Sequence, residues 1–73
     1  MKIFAERLRN LRLEKKVKQK ELRQILGLKS RSAITNYEKN NREPDYETLV
    51  KIAEYFDVST DFLLGVSDIK DRG

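Results

Sequence analysis

The sequence predicts an all-α fold, one compact domain of five short helices around a single core, and three observations carry that expectation. Apolar residues recur at intervals of three and four along successive segments, as they do on one face of a helix. The segments are punctuated by Gly27, Pro44 and Gly65 and opened by residues that cap helices, Asp45 and Ser59. Finally, 73 residues with no cysteine leave no disulfide or cysteine-bound metal to staple the chain. A chain this short buries only about 60% of its unfolded surface, so an unstapled one depends on close helix packing.

The first helix is expected over residues 4–16. Phe4, Leu8 and Leu11 form its stripe, with Ala5 and Leu13 at the edges. Arg7, Arg9, Arg12 and Lys15 fill the other faces, and Lys15 and Lys16 lie near the end, where cations suit the helix dipole. The second helix is expected over residues 19–26, with Leu22, Ile25 and Leu26 inward and Gly27 free to take the positive φ of a helix C-terminus. Lys18 before it offers no side-chain acceptor, so an N-cap worth about 1 kcal/mol is missing.

The third helix is expected over residues 31–39, with Ser30 as N-cap and Ala33, Ile34 and Tyr37 inward. A polar loop, Lys39 to Arg42, follows it, and Pro44 stops the loop. Asp45 then caps a fourth helix over residues 46–57, with Glu47 in its first turn and Leu49, Ile52, Ala53 and Phe56 inward. Ser59 caps a fifth, ending at Leu64 before Gly65, with Phe62 and Leu63 closing the core. Residues 1–65 thus make the domain, and residues 66–73, which alternate charges without a core pattern, are expected as a frayed tail. There is no internal repeat, low-complexity run or linker.

Charge and composition narrow the function. Residues 1–43 carry 13 Lys/Arg against 5 Asp/Glu, a net +8, and residues 44–73 carry 3 against 7, a net −4, which together return the +4 of the whole chain. A basic half beside an acidic half suits one face to a polyanion, although 38% charged residues also keep any small protein soluble. The absence of His and Cys removes the commonest nucleophile–base pairs and zinc sites. No pair of carboxylates stands in an expected cleft, so no enzyme, metal or cofactor is expected. No apolar run approaches the roughly 20 residues of a membrane span. Residues 1–13 are charged throughout, so neither a signal peptide nor a membrane location is expected. The lack of cysteine fits a reducing cytoplasm.

The stretch from Val17 to Pro44 organises the rest. It reads as two helices around Gly27, each too short to be stable alone in water. They leave outside Gln19, Lys20, Arg31, Ser32, Thr35 and Asn36, mostly donors of hydrogen bonds. A short helix that turns such a face outward after a tight turn suits a DNA groove.

From about Phe4 to Gly65 the chain resembles the Cro/C1-type, lambda-repressor-like helix-turn-helix family of phage and bacterial transcriptional repressors. The resemblance rests on Arg12 in the first helix, Gln19 opening the second, Gly27 at the turn, and Ile34, Tyr37 and Glu38 in the third. The R-E-P run Arg42–Glu43–Pro44 and the later E-T-L-x-K-I-A and V-S-x-D-x-L-L-G strings complete it. Their order and spacing together are specific where any one alone would be weak. Four positions depart from the pattern: Lys16 and Asn40 stand where the family has Gly, Lys18 where it has Thr or Ser, and Arg23 where it has Ala or another small residue. The turn from Gly27 to Ile34 is one residue longer than usual. We expect the added length to widen the turn and the Arg23 stem to use the room.

The resemblance implies sequence-specific binding of double-stranded DNA by a repressor, the helix-turn-helix being helices 2 and 3. Arg31, Ser32, Thr35 and Asn36 map onto the base-reading surface. Arg can fork onto guanine O6 and N7, Asn onto adenine N6 and N7, and Ser can reach either; Thr35 suits the backbone or a thymine methyl. Gln19, Lys20, Lys39, Asn40, Asn41 and Arg42 are implied as backbone or mixed contacts, which position rather than specify. For each of these the alternative is an ordinary solvated surface.

Arg12 and Glu38 are implied as a buried structural ion pair. Tyr55, Phe62, Leu64 and Val66 either make a homodimer contact or complete the monomer core; a dimer would present two reading helices about 34 Å apart to a palindromic operator. Within the same fold the alternatives are an antitoxin, which adds a protein partner, and a protein–protein adaptor that no longer reads DNA. The expected location is the bacterial cytoplasm, on the nucleoid when bound.

Overall fold

In the computed structural model, residues 2–71 are described and form five helices with no strand among them. The helices are α1 (Lys2–Glu14), α2 (Gln19–Leu26), α3 (Ala33–Glu38), α4 (Tyr46–Phe56) and α5 (Thr60–Leu64). α1 lies against α3 and α5, α2 against α3 and α4, and α4 against α5. One core joins them. Phe4, Leu8, Leu22, Ile34, Ile52 and Leu63 are its fully buried members, and the Phe4 and Tyr37 rings meet edge to face at 6.2 Å.

All five helices end by one device. Lys16, Gly27, Asn40, Asp57 and Gly65 take left-handed backbone angles with φ of 59°, 69°, 61°, 54° and 81°. In each case that residue's N–H and the next one close back onto the last helical carbonyls: Lys16 on Leu13 and Val17 on Arg12, Gly27 on Gln24 and Leu28 on Arg23, and likewise at the other three. This pairing satisfies the carbonyls a helix end leaves open. Glycine is needed most at Gly65, where a Cβ would also meet the Ile3 side chain at 2.9 Å. Lys16 and Asp57 adopt the same angles with a side chain, at a steric cost that glycine avoids.

The helix starts follow local chemistry. Asp45 accepts from the Thr48 N–H at 2.8 Å and Ser59 from the Phe62 N–H at 3.0 Å, so both are side-chain N-caps. Hydrogen bonds from Thr48, its side chain's first and then its N–H, hold the Asp45 carboxyl below its ordinary pKa. At α2, lysine has no acceptor to give, and only the reciprocal half of a capping box forms, from the Lys18 N–H to Glu21 Oε1 at 3.3 Å.

Four expectations are corrected. α1 starts at Lys2 and ends at Glu14, because the left-handed turn at Lys16 sets its end. Ile25 is 51% exposed, so the inner stripe of α2 is Leu22 and Leu26 alone. Phe56 is only half-buried, packed at the core's edge against Tyr55. α3 starts at Ala33, two residues late: Ser30 caps nothing, its carbonyl instead accepting from the Ala33 N–H at 3.3 Å to close a turn.

Over its described part, the segment after α5 lies back against the helices. The Ser59 N–H donates to the Lys70 carbonyl at 2.8 Å, and Lys70 reaches Glu14 at 3.7 Å. Arg7 binds the segment to α1. Its guanidinium donates to the Phe62 carbonyl, to the Ser67 carbonyl at 2.7 Å and to Asp68 at 2.8 Å, while lying 4.1 Å over the Phe62 ring. The outermost residues of the expected tail, Arg72 and Gly73, lie outside the described residues.

Candidate nucleic-acid interface

The site is built from α1 outward. Arg12 meets Glu38 at the end of α3 through two hydrogen bonds, Nε to Oε2 at 2.6 Å and Nη2 to Oε1 at 3.1 Å, with the two side chains only 12% and 5% exposed. Arg12 Nη1 also donates to the Val17 carbonyl at 2.9 Å. One guanidinium therefore ties the end of α1, the link to α2 and the end of α3.

Glu38 then orients Gln19. An ionised carboxylate only accepts, so the Gln19 amide must turn its Nε2 toward Glu38, which it does at 3.1 Å. Its Oε1 then faces Thr35, whose hydroxyl donates to it at 2.9 Å. The chain of constraint runs Arg12, Glu38, Gln19, Thr35, from a buried charge to the half-buried outer side of α3. Each end keeps something for a ligand. Gln19 retains one N–H and one lone pair; Thr35, its proton committed, offers an acceptor oxygen and a methyl group. Asn36, also half-buried, donates through Nδ2 to Ser32 Oγ at 3.3 Å and keeps its carbonyl oxygen and one N–H, the set that pairs with an adenine edge.

Thus α3 and the turn residue before it bring Ser32, Thr35 and Asn36 together on one outer side, beside Gln19. Arg31 and Ser32, expected in the first turn of the helix, lie in the turn that precedes it. The longer turn accounts for this: Ser32 has φ −100° and ψ 9°, away from the extended geometry in which a side chain caps its own helix, and Arg31 stands further out still. Arg23 is half-buried and donates through Nη1 to the Leu28 carbonyl in the turn at 3.2 Å. Lys20 is exposed at the start of α2, and Lys39, Asn40, Asn41 and Arg42 are exposed in the loop after α3. Arg9 was not among the expected contacts, yet it lines the same shallow cleft as Gln19, Thr35 and Lys39. Its place three residues before Arg12, on the same face of α1, was the available signal.

Behind this surface the Tyr37 hydroxyl has its pKa raised, first by burial and then by nearby Asp45, with Arg42 opposing. Of the residues considered for a homodimer contact, Phe62 is 8% exposed and belongs to the monomer's own core. Tyr55 is half-buried, with the Lys15 ammonium 4.2 Å over its ring, and Leu64 is half-buried at the core's edge. Val66 is 75% exposed. No helix among the described residues is long and apolar enough to cross a membrane.

Two short helices packed together across a turn, the second presenting an outer polar side and tied to α1 through Arg12, define a helix-turn-helix module. The chain belongs to the Cro/C1-type helix-turn-helix family: a family model described as helix-turn-helix matches residues 8–63. Among curated proteins it is 45% identical over 62 residues to the uncharacterized HTH-type transcriptional regulator YqaE of Bacillus subtilis (strain 168), covering 85% of this chain and 53% of that one. It is 34% identical over 69 residues to the HTH-type transcriptional regulator ImmR of the same organism, covering 94% and 54%. It is also 40% identical over 62 residues to the SPbeta prophage-derived uncharacterized HTH-type transcriptional regulator YonR, covering 85% and 56%. The chain spans about half the length of the curated relatives it matches. No solved structure matches it.

Proposed function

We propose that this chain binds double-stranded DNA sequence-specifically as a transcriptional regulator, acting as a repressor, with α3 entering the major groove. The observation that carries the reading is the polar side formed by Ser32, Thr35, Asn36 and Gln19, held in one geometry by the buried Arg12–Glu38 pair. A surface meant only for solvent has no need of such fixing; one that must match base edges does. Membership of the family and the regulator names of its relatives support the same reading.

In this mechanism Asn36 pairs with an adenine edge and Ser32 contacts a neighbouring base. Thr35 presents its methyl and a lone pair, and Gln19 directs its remaining N–H to the backbone. Lys20, Lys39, Asn40, Asn41 and Arg42 bracket the groove on phosphates. The bound form is a homodimer on a palindromic operator in the bacterial cytoplasm, using Val66 and the exposed edge of Leu64 and without the buried Phe62 ring. No chemical step or cofactor enters.

Selection of bound sequences from a random DNA pool tests the reading. An inverted repeat should be enriched, and N36A should relax one base position in each half-site. If nothing is enriched even at low salt, the proposal fails.

A further inference from the structure

We propose that Lys20, Arg23 and Arg31 form a phosphate-binding cleft that takes a DNA backbone phosphate, and that Arg31 acts there rather than on a base edge. The inference rests on the DNA-binding reading above. Among the described residues, these three line an open cleft of about 400 Å³ between α2 and the turn into α3, with no carboxylate in its walls. Lys20 and Arg23 are three positions apart on α2 and share a face; Arg31 reaches the same space from the turn.

Three like charges around one volume repel each other, and an anion placed among them turns that repulsion into attraction. Among the described residues, neither the Lys20 nor the Arg31 side chain has a hydrogen-bond or ion-pair partner that would compete. Arg23 is the fixed member. Its bond to the Leu28 carbonyl uses Nη1 and holds the guanidinium in place, which leaves Nε and Nη2 as donors. Guanidinium groups meet phosphate oxygens in paired, charge-assisted hydrogen bonds, so two of them and an ammonium suit one phosphate group.

Position decides for a DNA phosphate over a free anion. Gln19 precedes Lys20, Ser32 follows Arg31, and Gln19 is bonded to Thr35 at 2.9 Å, so the cleft adjoins the base-facing side of α3. A duplex seated on that side brings its backbone over the cleft. The longer turn explains why Arg31 serves here: it carries the residue off α3, where it would have faced a base, and toward Arg23.

The test uses the whole chain and the sequence it selects from random DNA. K20Q and R31Q change exposed side chains, so both variants fold, and melting curves verify this. Each should lower the slope of log affinity against log salt by about one and weaken all sequences alike, leaving the selected consensus unchanged. A single neutral methylphosphonate in the backbone should weaken wild type several-fold and R31Q hardly at all. If R31Q instead relaxes one base position, Arg31 reads a base and the cleft assignment is wrong. If both variants keep the wild-type slope, the cleft holds no phosphate, while DNA binding by the wild type still stands. If the wild type binds no duplex, both readings fall together.

Discussion

Arg7 and Arg12 lie on the same helix and each reaches a carboxylate, yet their surroundings differ. Arg12 and Glu38 are 12% and 5% exposed and meet through two bonds; Arg7 is 20% exposed, but its partner Asp68 is 97% exposed and meets it through one bond at 2.8 Å. Water screens the second pair and is kept from the first. What Arg7 holds firmly is not the carboxylate but two backbone carbonyls and the face of Phe62. The number of ion pairs therefore says little about what fixes this fold. Arg12 sets the geometry of α3, and Arg7 fastens the segment after α5 through neutral groups.

Among substitutions at these pairs, the largest expected effect is at Glu38. Glu38→Ala leaves the Arg12 charge uncompensated and Gln19 without its acceptor. It should cost on the order of 3–5 kcal/mol, and at about 4–8 °C per kcal/mol calorimetry should show the Tm lowered by roughly 12–40 °C. A Tm within a few degrees of wild type would put the pair in water after all. The double variant R12M/E38L should recover much of that stability, since apolar groups of similar volume replace a buried pair without penalty. It should not recover DNA affinity, because nothing then orients Gln19.

Arg7→Ala comes next, at roughly 1.5–3 kcal/mol for hydrogen bonds from a charged donor, accompanied by faster amide exchange from Ser67 to Lys70. Ser59→Ala should cost about 1 kcal/mol for the lost cap. Asp68→Ala should cost between nothing and about 1 kcal/mol, and the difference should vanish in 1 M salt, where screening acts within roughly 3 Å. A larger, salt-independent loss would erase the contrast between the two arginines. The smallest effect lies in acid. Asp45 is held below the ordinary carboxyl pKa, so its contribution is complete above that value and is lost as pH falls through the lowered one. Urea melts of wild type and D45N between pH 7 and pH 2 should converge at the acid end.

Much of the fold was legible in the chain because its signals are local. Asp45 and Ser59 cap their helices through bonds to residues three positions on, Gly27 and Gly65 turn the chain where φ must be positive, and Leu22, Ile34, Ile52 and Leu63 fall inward by helical spacing. Ile25 misled for the same local reason: it sits within the arc of an apolar stripe, but the approach of α3 and α4 decides how wide that arc is covered. α3 misled because Ser30 is of a residue type that caps helices, whereas its carbonyl closes a turn with the Ala33 N–H and the helix starts only there.

By itself, then, the chain determined five helices, the stops at Gly27 and Gly65 and most of their inner faces, since periodicity and capping act over a few residues. Only the tertiary structure decided the direction of the Gln19 amide, the commitment of the Thr35 proton, the departure of Arg31 from the reading helix and the return of residues 66–71 onto α1. Each of these depends on how closely separate helices approach. A hydrogen bond across such a gap is won or lost within about half an ångström, a tolerance that residue order alone does not encode.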